Sequence, residues 1–500
     1  MTYQPYVEAT SNSSLLDAMN TSETLTLNGC PTHSTSSNFL VDLFFTVNTF
    51  RQKSEEEVIQ AFTKAYDTSP QDALRILFWS RDIRGGQGER KTFRIVLKYL
   101  ALNNPGVLQP LIQYIPYYGR WDDLFSLIST PLCKDTLDFI KSALNAGDAL
   151  CAKWMPREKS SQSKLASSIR KHCGYSPKEY RKVLAGLTKV VETQMCNKDW
   201  EAIDYSKVPS RALLIYRKAF DKHAPSQWNK YLELVTAGEV KINSSTLYPY
   251  DIIRPLWGKM SESWYGQDVK GLLTPQEIQL TNEQWKALPN YMENNPRKIL
   301  PLVDTSGSMH TCGSPSAIQV AVSLGLYIAE KNEGPFKDHF ITFSQNPTIQ
   351  KIEGDHLYAK IHNLNNADWG YNTNLEKVFD LILNSAVEKE VKREEMPDTL
   401  LILSDMEFDV ACSGSASSTM YENIQFKYRL AGYKLPSIIF WNLDTKTSNS
   451  PVKFDEQGTA LISGFSPTIL KQLLANESLT PESMMYKVIN STRYSHIEVK

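Results

Sequence analysis

The stretch from Lys298 to Met309 (KILPLVDTSGSM) constrains the fold of this 500-residue chain more than any other. A short apolar run ends on Asp304 and is followed by a serine-rich turn, a pattern that predicts a buried strand running into a loop. The turn presents Asp304, Ser306 and Ser308 at alternate positions. Such hard oxygen donors suit a small divalent cation such as Mg²⁺. Open α/β sheets also bind their ligands at the carboxyl ends of strands.

After this turn, strand and helix patterns alternate along the chain. Strand patterns occur at residues 339–344, 348–353, 398–404, 436–443 and 460–462. Helical patterns occur at residues 317–331, 375–383, 421–431 and 468–475. This alternation predicts a doubly wound, mostly parallel sheet.

Two later loops are expected at the same edge of the sheet as the serine-rich turn. The segment DWGYNTNL offers Thr373 before a helix, and Asp405 directly follows an apolar strand. Strand ends of a doubly wound sheet meet at its topological switch point. We therefore predict an oxygen cage in which Ser306, Ser308 and Thr373 coordinate a cation directly. Asp304 and Asp405 would hold waters or lie in the second shell. The alternative is that each loop is only a turn and a helix cap.

The order of these residues resembles the metal-ion-dependent adhesion site (MIDAS) of von Willebrand factor A domains, over roughly residues 298–490. The resemblance implies a doubly wound A-type domain that binds Mg²⁺ or another divalent cation and performs no catalysis. Because Mg²⁺ keeps several waters, one position would stay open to a partner's carboxylate or phosphate. His310, Glu407 and Asp409 are close to the site in sequence. They either tune it or form a solvated rim.

The front half of the chain is a succession of helical hairpin patterns. Ser54 is a predicted N-cap, Glu57 occupies the capping-box position and Pro70 follows the end of that helix. Further helical segments follow with short connections. The arrangement resembles a HEAT-like α-helical repeat array, although no strict period is visible.

The predicted organisation is therefore α plus α/β, with a helical array before the A-type domain. Residues 1–37, rich in Ser, Thr and Asn, are predicted to be a flexible N-terminal segment. The remaining parts are a helical-repeat domain (38–239), a bridging segment (240–297), the A-like domain (298–490) and a C-terminal tail (491–500).

Charge is distributed unevenly between the two halves. Residues 301–500 carry 17 Lys and Arg against 24 Asp and Glu, a net charge of −7. The 54 basic and 55 acidic residues of the whole chain therefore leave residues 1–300 with a net charge of +6. A basic front half is a candidate for binding polyanions, although an ordinary solvated surface is the simpler explanation of the charge alone.

Basic residues in three stretches are candidates for contact with RNA. They are Arg81, Arg84, Arg90, Lys91, Arg120, Lys153, Arg157, Lys164, Arg170, Lys171, Arg181 and Lys182. The first stretch flanks a Gly-Gly-Gln-Gly turn, which is either a phosphate seat built from backbone N–H groups or only a hairpin turn. The stretch from Lys153 to Lys182 is either an RNA-binding face or a solvated helix face.

Aromatic residues beside these cations offer a second kind of contact. Tyr118, Arg120 and Trp121 would stack a base in one interpretation. In the other, Trp121 is a packing residue and Arg120 pairs with Asp122 or Asp123.

The phrases RDIRGGQGER, YYGRWDDL and AKWMPR, in a helical array before an A domain, resemble the TROVE-type module of the Ro autoantigen family. The resemblance covers about residues 38–290. It implies a ring-like helical array, closed by the A domain, that binds single-stranded RNA ends in its hole. It also implies that structured small RNAs bind the basic outer face, as in a ribonucleoprotein.

Other features narrow the functional classes. The seven cysteines contain no C-x-x-C pair, which predicts free thiols in a reducing, cytoplasmic setting. Neither a signal segment nor a membrane-spanning apolar run is found. No P-loop, paired-histidine metal motif or supported Ser-His-Asp set is present, so no enzymatic activity is expected.

Two functions agree with these features. The first is a non-enzymatic RNA-binding scaffold of Ro type with a Mg²⁺ site. The alternative is an assembly component of a larger particle, in which the metal grips a partner protein's carboxylate.

Overall fold

The computed structural model describes residues 23–50, 52–188, 190–242, 244, 246–264, 273–310, 315–342, 347–364, 374–409, 420–444, 446–447, 449–474 and 479–499. Helices dominate the described part of residues 39–286. The α-helices there are Phe39–Thr46, Glu55–Thr68, Pro70–Arg81, Lys91–Asn103, Pro105–Leu108, Ile115–Tyr118, Cys133–Asn145, Ala149–Trp154, Ser163–Cys173, Pro177–Leu187, Val191–Cys196, Ser210–His223, Pro225–Thr236, Pro249–Trp264 and Pro275–Lys286. Short 3₁₀ helices lie at Gln109–Tyr114, Trp121–Leu127, Trp200–Ala202 and Tyr205–Lys207. The predicted helix-rich front part is therefore confirmed.

Local signals explain where these helices begin. The Ser54 hydroxyl accepts a hydrogen bond from the Glu57 N–H at 3.2 Å, and the Glu57 carboxylate accepts one from the Ser54 N–H at 2.9 Å. This is the predicted capping box at the start of Glu55–Thr68. The Ser69 hydroxyl caps the next helix by accepting a hydrogen bond from the Asp72 N–H at 3.3 Å. Pro70 is the first residue of that helix, where no N–H is needed.

Replacing Ser54 by alanine is expected to destabilise the protein by about 1 kcal/mol, because the first turn loses its side-chain acceptor. Chemical denaturation followed by circular dichroism would measure the change. Gln60→Ala, an exposed position in the same helix, is the matched control and should change stability by less than about 0.5 kcal/mol. Equal effects of the two substitutions would contradict the capping role.

In the described residues, eight strands form two sheets. They are β1 (Glu23–Leu25), β2 (Pro31–His33), β3 (Ile299–Val303), β4 (His339–Thr342), β5 (Ile349–Lys351), β6 (Thr399–Ser404), β7 (Ser437–Asn442) and β8 (Thr459–Ser463). The larger sheet has six strands in the order β5-β4-β3-β6-β7-β8, all parallel except β5, which pairs antiparallel with β4. The helices of this region are Ala317–Lys331, Leu357–Leu364, Leu375–Glu388, Met420–Leu430, Leu470–Leu474 and Pro481–Ile489, with 3₁₀ helices at Gly307–His310, Arg393–Glu395, Pro467–Ile469 and Thr492–Tyr494. The predicted alternation of strands and helices is confirmed at this level.

The register of β3 against β6 positions the predicted site. Val303 pairs with Leu403, so the residues that follow these adjacent strands leave the sheet side by side. Both strands are buried along their whole length. From β3 the chain adds β4 and β5 on one side of the sheet and then β6, β7 and β8 on the other. The topological switch point of the sheet therefore lies between β3 and β6.

The helical part and the sheet share one hydrophobic core. The helix Ala317–Lys331 packs on β3 and also against Pro249–Trp264 of the predicted bridging segment. A Cβ added at Gly325 would come within 2.5 Å of a Val303 methyl group, so helix and strand approach closely there. The bridging segment contains the helices Pro249–Trp264 and Pro275–Lys286, and Ile252 is completely buried in the common core.

The prediction of a flexible segment at residues 1–37 is wrong for residues 23–37. There β1 and β2 form an antiparallel pair, and His33 forms a β-bridge with Ser450. The Thr26 hydroxyl donates to the Phe408 carbonyl at 2.7 Å. Polar side chains that looked typical of a linker instead make hydrogen bonds to the loops of the large sheet. Residues 1–22 lie outside the described residues.

The prediction of a tail at residues 491–500 is also wrong for residues 491–499. The Arg493 guanidinium binds the buried carboxylate of Asp82, with Nη2 2.6 Å from Oδ1. Tyr118 donates from its hydroxyl to the Arg493 carbonyl at 2.5 Å, and Val499 donates to Gln71 at 2.8 Å. The end of the chain therefore fastens the helical part to the sheet.

Candidate functional site

Four of the five predicted metal-site residues lie together at the ends of β3 and β6. Asp304 accepts hydrogen bonds from the Ser306 N–H at 2.9 Å and from the Ser404 hydroxyl at 2.5 Å. Asp405 accepts one from the Glu407 N–H at 3.3 Å. These bonds hold both carboxylates in place. Thr373 lies outside the described residues.

The hydroxyls of Ser306 and Ser308 form a hydrogen bond to each other, and their separation is also that of two adjacent magnesium ligands. Two adjacent ligands of an octahedral Mg²⁺, with bonds of about 2.0–2.1 Å, lie about 2.9 Å apart. The hydroxyl oxygens of Ser306 and Ser308 are 2.9 Å apart. Among the described residues no three His, Cys, Asp or Glu side chains converge on a point that would hold a metal. A cation here would therefore depend on hydroxyl ligands, with carboxylates behind them.

The two carboxylates influence each other. Burial, and then the negative charge of Asp405, raise the pKa of Asp304. Like charges so close in an apolar surrounding are costly unless a positive charge compensates them. The backbone between Asp405 and Glu407 is also strained, because Met406 has a φ of +66°. A non-glycine residue held there costs about 1–3 kcal/mol and is typical of functional loops.

Lys446 is a residue of this site that sequence reasoning missed. Its ammonium group donates to Asp405 Oδ2 at 2.7 Å and to the Ser308 carbonyl oxygen at 2.8 Å. It lies in the loop after β7, where a single lysine among polar residues carries no recognisable signal. The structure alone brings it to the carboxylates.

The three residues predicted beside the site have different surroundings. His310 is exposed. Glu407 is buried, and its carboxylate accepts hydrogen bonds from the Leu27 N–H at 2.8 Å and the Thr447 hydroxyl at 2.6 Å. Asp409 forms a β-bridge with Gly29. Glu407 and Asp409 therefore tie the N-terminal hairpin to the site.

A cavity of about 780 Å³ lies between the helical part and the sheet. Six cationic side chains and two carboxylates line it, and five of the cations are predicted RNA contacts. The cations are Arg81, Arg84, Arg90, Lys91, Arg120 and Arg211. The carboxylates are Glu89 and Asp444, and Pro315, Ser316 and Ala317 also line the cavity. The structure thus gathers cations that are distant in sequence around one space.

Asp123 organises one wall of this cavity. Its buried carboxylate accepts from Arg81 Nε at 2.8 Å, from Arg94 Nε at 2.7 Å and from the Arg120 N–H at 2.8 Å. Arg81 is 1% exposed, and its Nη2 has no hydrogen-bond partner among the described residues. A buried guanidinium N–H without an acceptor is costly and indicates a place for a ligand oxygen or a water.

The other cations differ in how they are compensated, since Arg211 forms an ion pair with Asp251 at 3.1 Å. Among the described residues, no carboxylate lies within 4.0 Å of the guanidinium groups of Arg84, Arg90 or Arg120. Burial and the positive charge of Arg81 lower the pKa of Arg120. The charges of Arg90 and Arg211 act in the same direction. Mutually repelling cations around a cavity are the electrostatic pattern of an anion site.

Two N–H groups of the Gly-Gly-Gln-Gly turn are used within the protein. Gly86 donates to the Asp82 carbonyl oxygen, and Gln87 donates to that of Trp79. A Cβ added at Gly86 would lie 1.9 Å from the Trp79 carbonyl oxygen, which explains this glycine by close packing. These contacts favour the hairpin-turn alternative, and Arg84, Glu89 and Arg90 beside the turn line the cavity.

The three residues predicted to stack a base, Tyr118, Arg120 and Trp121, have different surroundings. Tyr118 is completely buried, and Trp121 stacks on Phe139 with ring centroids 5.1 Å apart, so both are packing residues. The Arg120 guanidinium lies over Trp154, 4.8 Å from the ring centroid. Two aromatic residues that the sequence did not single out, Tyr248 and Tyr250, line the cavity instead.

The third basic stretch forms an exposed surface outside the cavity. Its exposed members are Lys153, Arg157, Lys164, Lys171, Arg181 and Lys182. Arg170 differs, because it is half-buried and forms an ion pair with Glu158 at 2.7 Å. Hereafter the face formed by these exposed residues is called the basic face.

Family models match both halves of the chain. A model described as a domain of unknown function, DUF2828, matches residues 26–164 and 147–297, more than half of the chain. The chain belongs to the DUF2828 family. Residues 298–498 of this DUF2828 protein match a second domain of unknown function, DUF7788. Neither description states a function, so the metal site and the RNA contacts stay predictions.

A relative of this DUF2828 protein is the uncharacterized protein L728 of Acanthamoeba polyphaga mimivirus. The two are 32% identical over 517 residues, covering 93% of this chain and 86% of the relative. They therefore share their organisation over nearly the whole length.

A solved structure with a similar arrangement is the Ro (RSR) protein of Deinococcus radiodurans. The match has a TM-score of 0.43 and 13% identity, and covers 92% of this chain and 100% of the other. A TM-score at this level does not establish a common fold. The RNA-binding hypothesis for this DUF2828 protein therefore depends on its own residues.

No helix in the described part of the chain has the length and apolar character needed to cross a bilayer.

Proposed function

We propose that this protein is a non-enzymatic RNA-binding scaffold, in which the basic cavity binds the sugar-phosphate backbone of single-stranded RNA. The observation that carries this proposal is the convergence of six cations on a space of about 780 Å³. Ligand sites commonly have volumes of about 300–1,000 Å³. RNA phosphates would supply negative charge to Arg84, Arg90 and Arg120, which form no ion pair among the described residues.

Aromatic side chains favour RNA over a simple anion. Tyr248 and Tyr250 line the cavity, with ring centroids 5.6 Å apart. Proteins that bind single strands combine a basic groove with aromatic platforms on which bases stack. The basic face would add weaker contacts with structured RNA, since its exposed cations are well solvated.

The proposal includes the architecture inferred from the resemblances. The helical part would be a TROVE-like repeat array of Ro type, and the sheet region would be a von Willebrand A-type domain. Ser306, Ser308 and Thr373 would coordinate Mg²⁺ or another divalent cation, with Asp304 and Asp405 behind them. Such a cation would bind oxygen atoms of a ligand electrostatically. We also propose a cytoplasmic location, because the buried thiols of Cys30 and Cys151 are free.

The salt dependence of RNA binding tests the proposal. If three cavity arginines contact phosphates, a plot of the logarithm of the binding constant against the logarithm of the salt concentration should have a slope of about −2. Each single-strand phosphate contributes roughly 0.7 to this slope. Fluorescence anisotropy with a labelled single-stranded RNA, between about 50 and 200 mM salt, would measure it. Absence of binding, or binding independent of salt, would contradict the proposed function.

A further inference from the structure

The metal site contains a positive charge of its own. We infer that the Lys446 ammonium competes intramolecularly with the divalent cation, so that the site is stable without metal and binds metal weakly. This inference rests on the metal site proposed above. It assigns to Lys446 a role in setting metal affinity.

The position of the ammonium supports competition. Its Nζ lies 2.7 Å from Asp405 Oδ2 and 2.8 Å from the Ser308 carbonyl oxygen. If Asp405 acts through a metal-bound water, that water would donate to the same carboxylate. The ammonium therefore takes an acceptor that the hydrated cation needs. It also places a full positive charge beside the hydroxyl pair of Ser306 and Ser308.

The loop that carries Lys446 is held in place on both sides. Lys53 Nζ donates to the Lys446 carbonyl oxygen at 3.1 Å. The hydroxyl of the next residue, Thr447, donates to Glu407 at 2.6 Å. The Lys446 side chain is 18% exposed, and that of Asp405 is completely buried. Lys446 is thus part of the site rather than a freely moving surface lysine.

Electrostatics gives the direction of the effect. Two buried carboxylates need a compensating cation, which is either a metal or a side chain. Lys446 supplies this charge permanently, so the region folds without metal. A divalent cation must then either displace the ammonium or bind against its repulsion. Removal of the lysine charge should strengthen metal binding and make stability depend on metal.

The full-length protein and its Lys446→Met variant would be titrated with Mn²⁺ by calorimetry. The variant is expected to bind Mn²⁺ about 5- to 150-fold more tightly, the usual range of coupling between sites. Its melting temperature should rise on adding Mn²⁺ and fall in EDTA, whereas that of the unmodified protein should change little. Lys446→Gln would replace the methionine variant if that variant does not fold.

Two controls separate the site from general charge effects. Lys446→Arg keeps the charge, and Lys351→Met removes an exposed lysine whose side chain is 63% exposed, so both should bind Mn²⁺ like the unmodified protein. Equal or weaker binding by Lys446→Met would overturn this inference alone. Absence of Mn²⁺ binding in both the unmodified protein and the variant would overturn the proposed metal site as well.

Discussion

Replacing Arg84, Arg90 and Arg120 together by glutamine is expected to weaken the binding of single-stranded RNA about 100-fold. Each lost ionic contact is expected to cost about 1 kcal/mol of binding free energy, and about 1.4 kcal/mol corresponds to a tenfold change in affinity. These arginines line the cavity and have no carboxylate partner among the described residues. The log–log salt slope should become less negative by about 2. Anisotropy titrations at several salt concentrations would measure both quantities.

A second triple variant is the matched control. This variant replaces Lys164, Lys171 and Lys182 together by glutamine, which removes three positive charges from the exposed basic face. Binding should weaken by about threefold or less, because exposed ion pairs contribute little. Melting temperatures would confirm that both variants fold. Similar losses in the two variants would show that net charge, rather than the cavity, attracts RNA.

Replacing Asp123 by asparagine is expected to destabilise the protein by about 3–5 kcal/mol, the usual cost of removing one partner of a buried ion pair. The Asp123 and Arg81 side chains are 0% and 2% exposed, so the remaining guanidinium would stay buried without its counter-charge. Arg94, whose side chain is 30% exposed, would lose a second contact that solvent partly replaces. Urea denaturation would measure the loss.

The neighbouring residue offers a control for this prediction. Asp122 forms an ion pair with Arg94 at 2.7 Å, but its side chain is 18% exposed. Asp122→Asn should therefore cost about 1 kcal/mol or less. If the two asparagine variants were equally stable, Asp123 would not be the organising residue of the cavity wall.

Local sequence signals were sufficient wherever structure depends on neighbouring residues. The capping box of Ser54 and Glu57 and the helix Ala317–Lys331 lie where they were predicted. The apolar strand before Asp304 is likewise confirmed. Each of these features is specified within about four residues along the chain, through caps or hydrophobic periodicity.

Local signals failed where distant residues decide the environment. The polar residues from 23 to 37 are typical of a linker, yet they form hydrogen bonds with loops near residues 407–450. Tyr118 and Trp121 looked suited to base stacking, but tertiary packing buries both. No pattern in the sequence connects Arg120 with Arg211 or Tyr248, although all three line one cavity.

The sequence by itself determined the six strands of the large sheet, four helices of the same region and the oxygen-rich loops that follow Val303 and Ser404, because these depend on local hydrophobicity and turn chemistry. Only the tertiary structure decided that Lys446 reaches Asp405 and that six cations face a common space. Both arrangements join residues far apart in the chain. Their energies come from burial and charge in three dimensions, which no spacing along the sequence records.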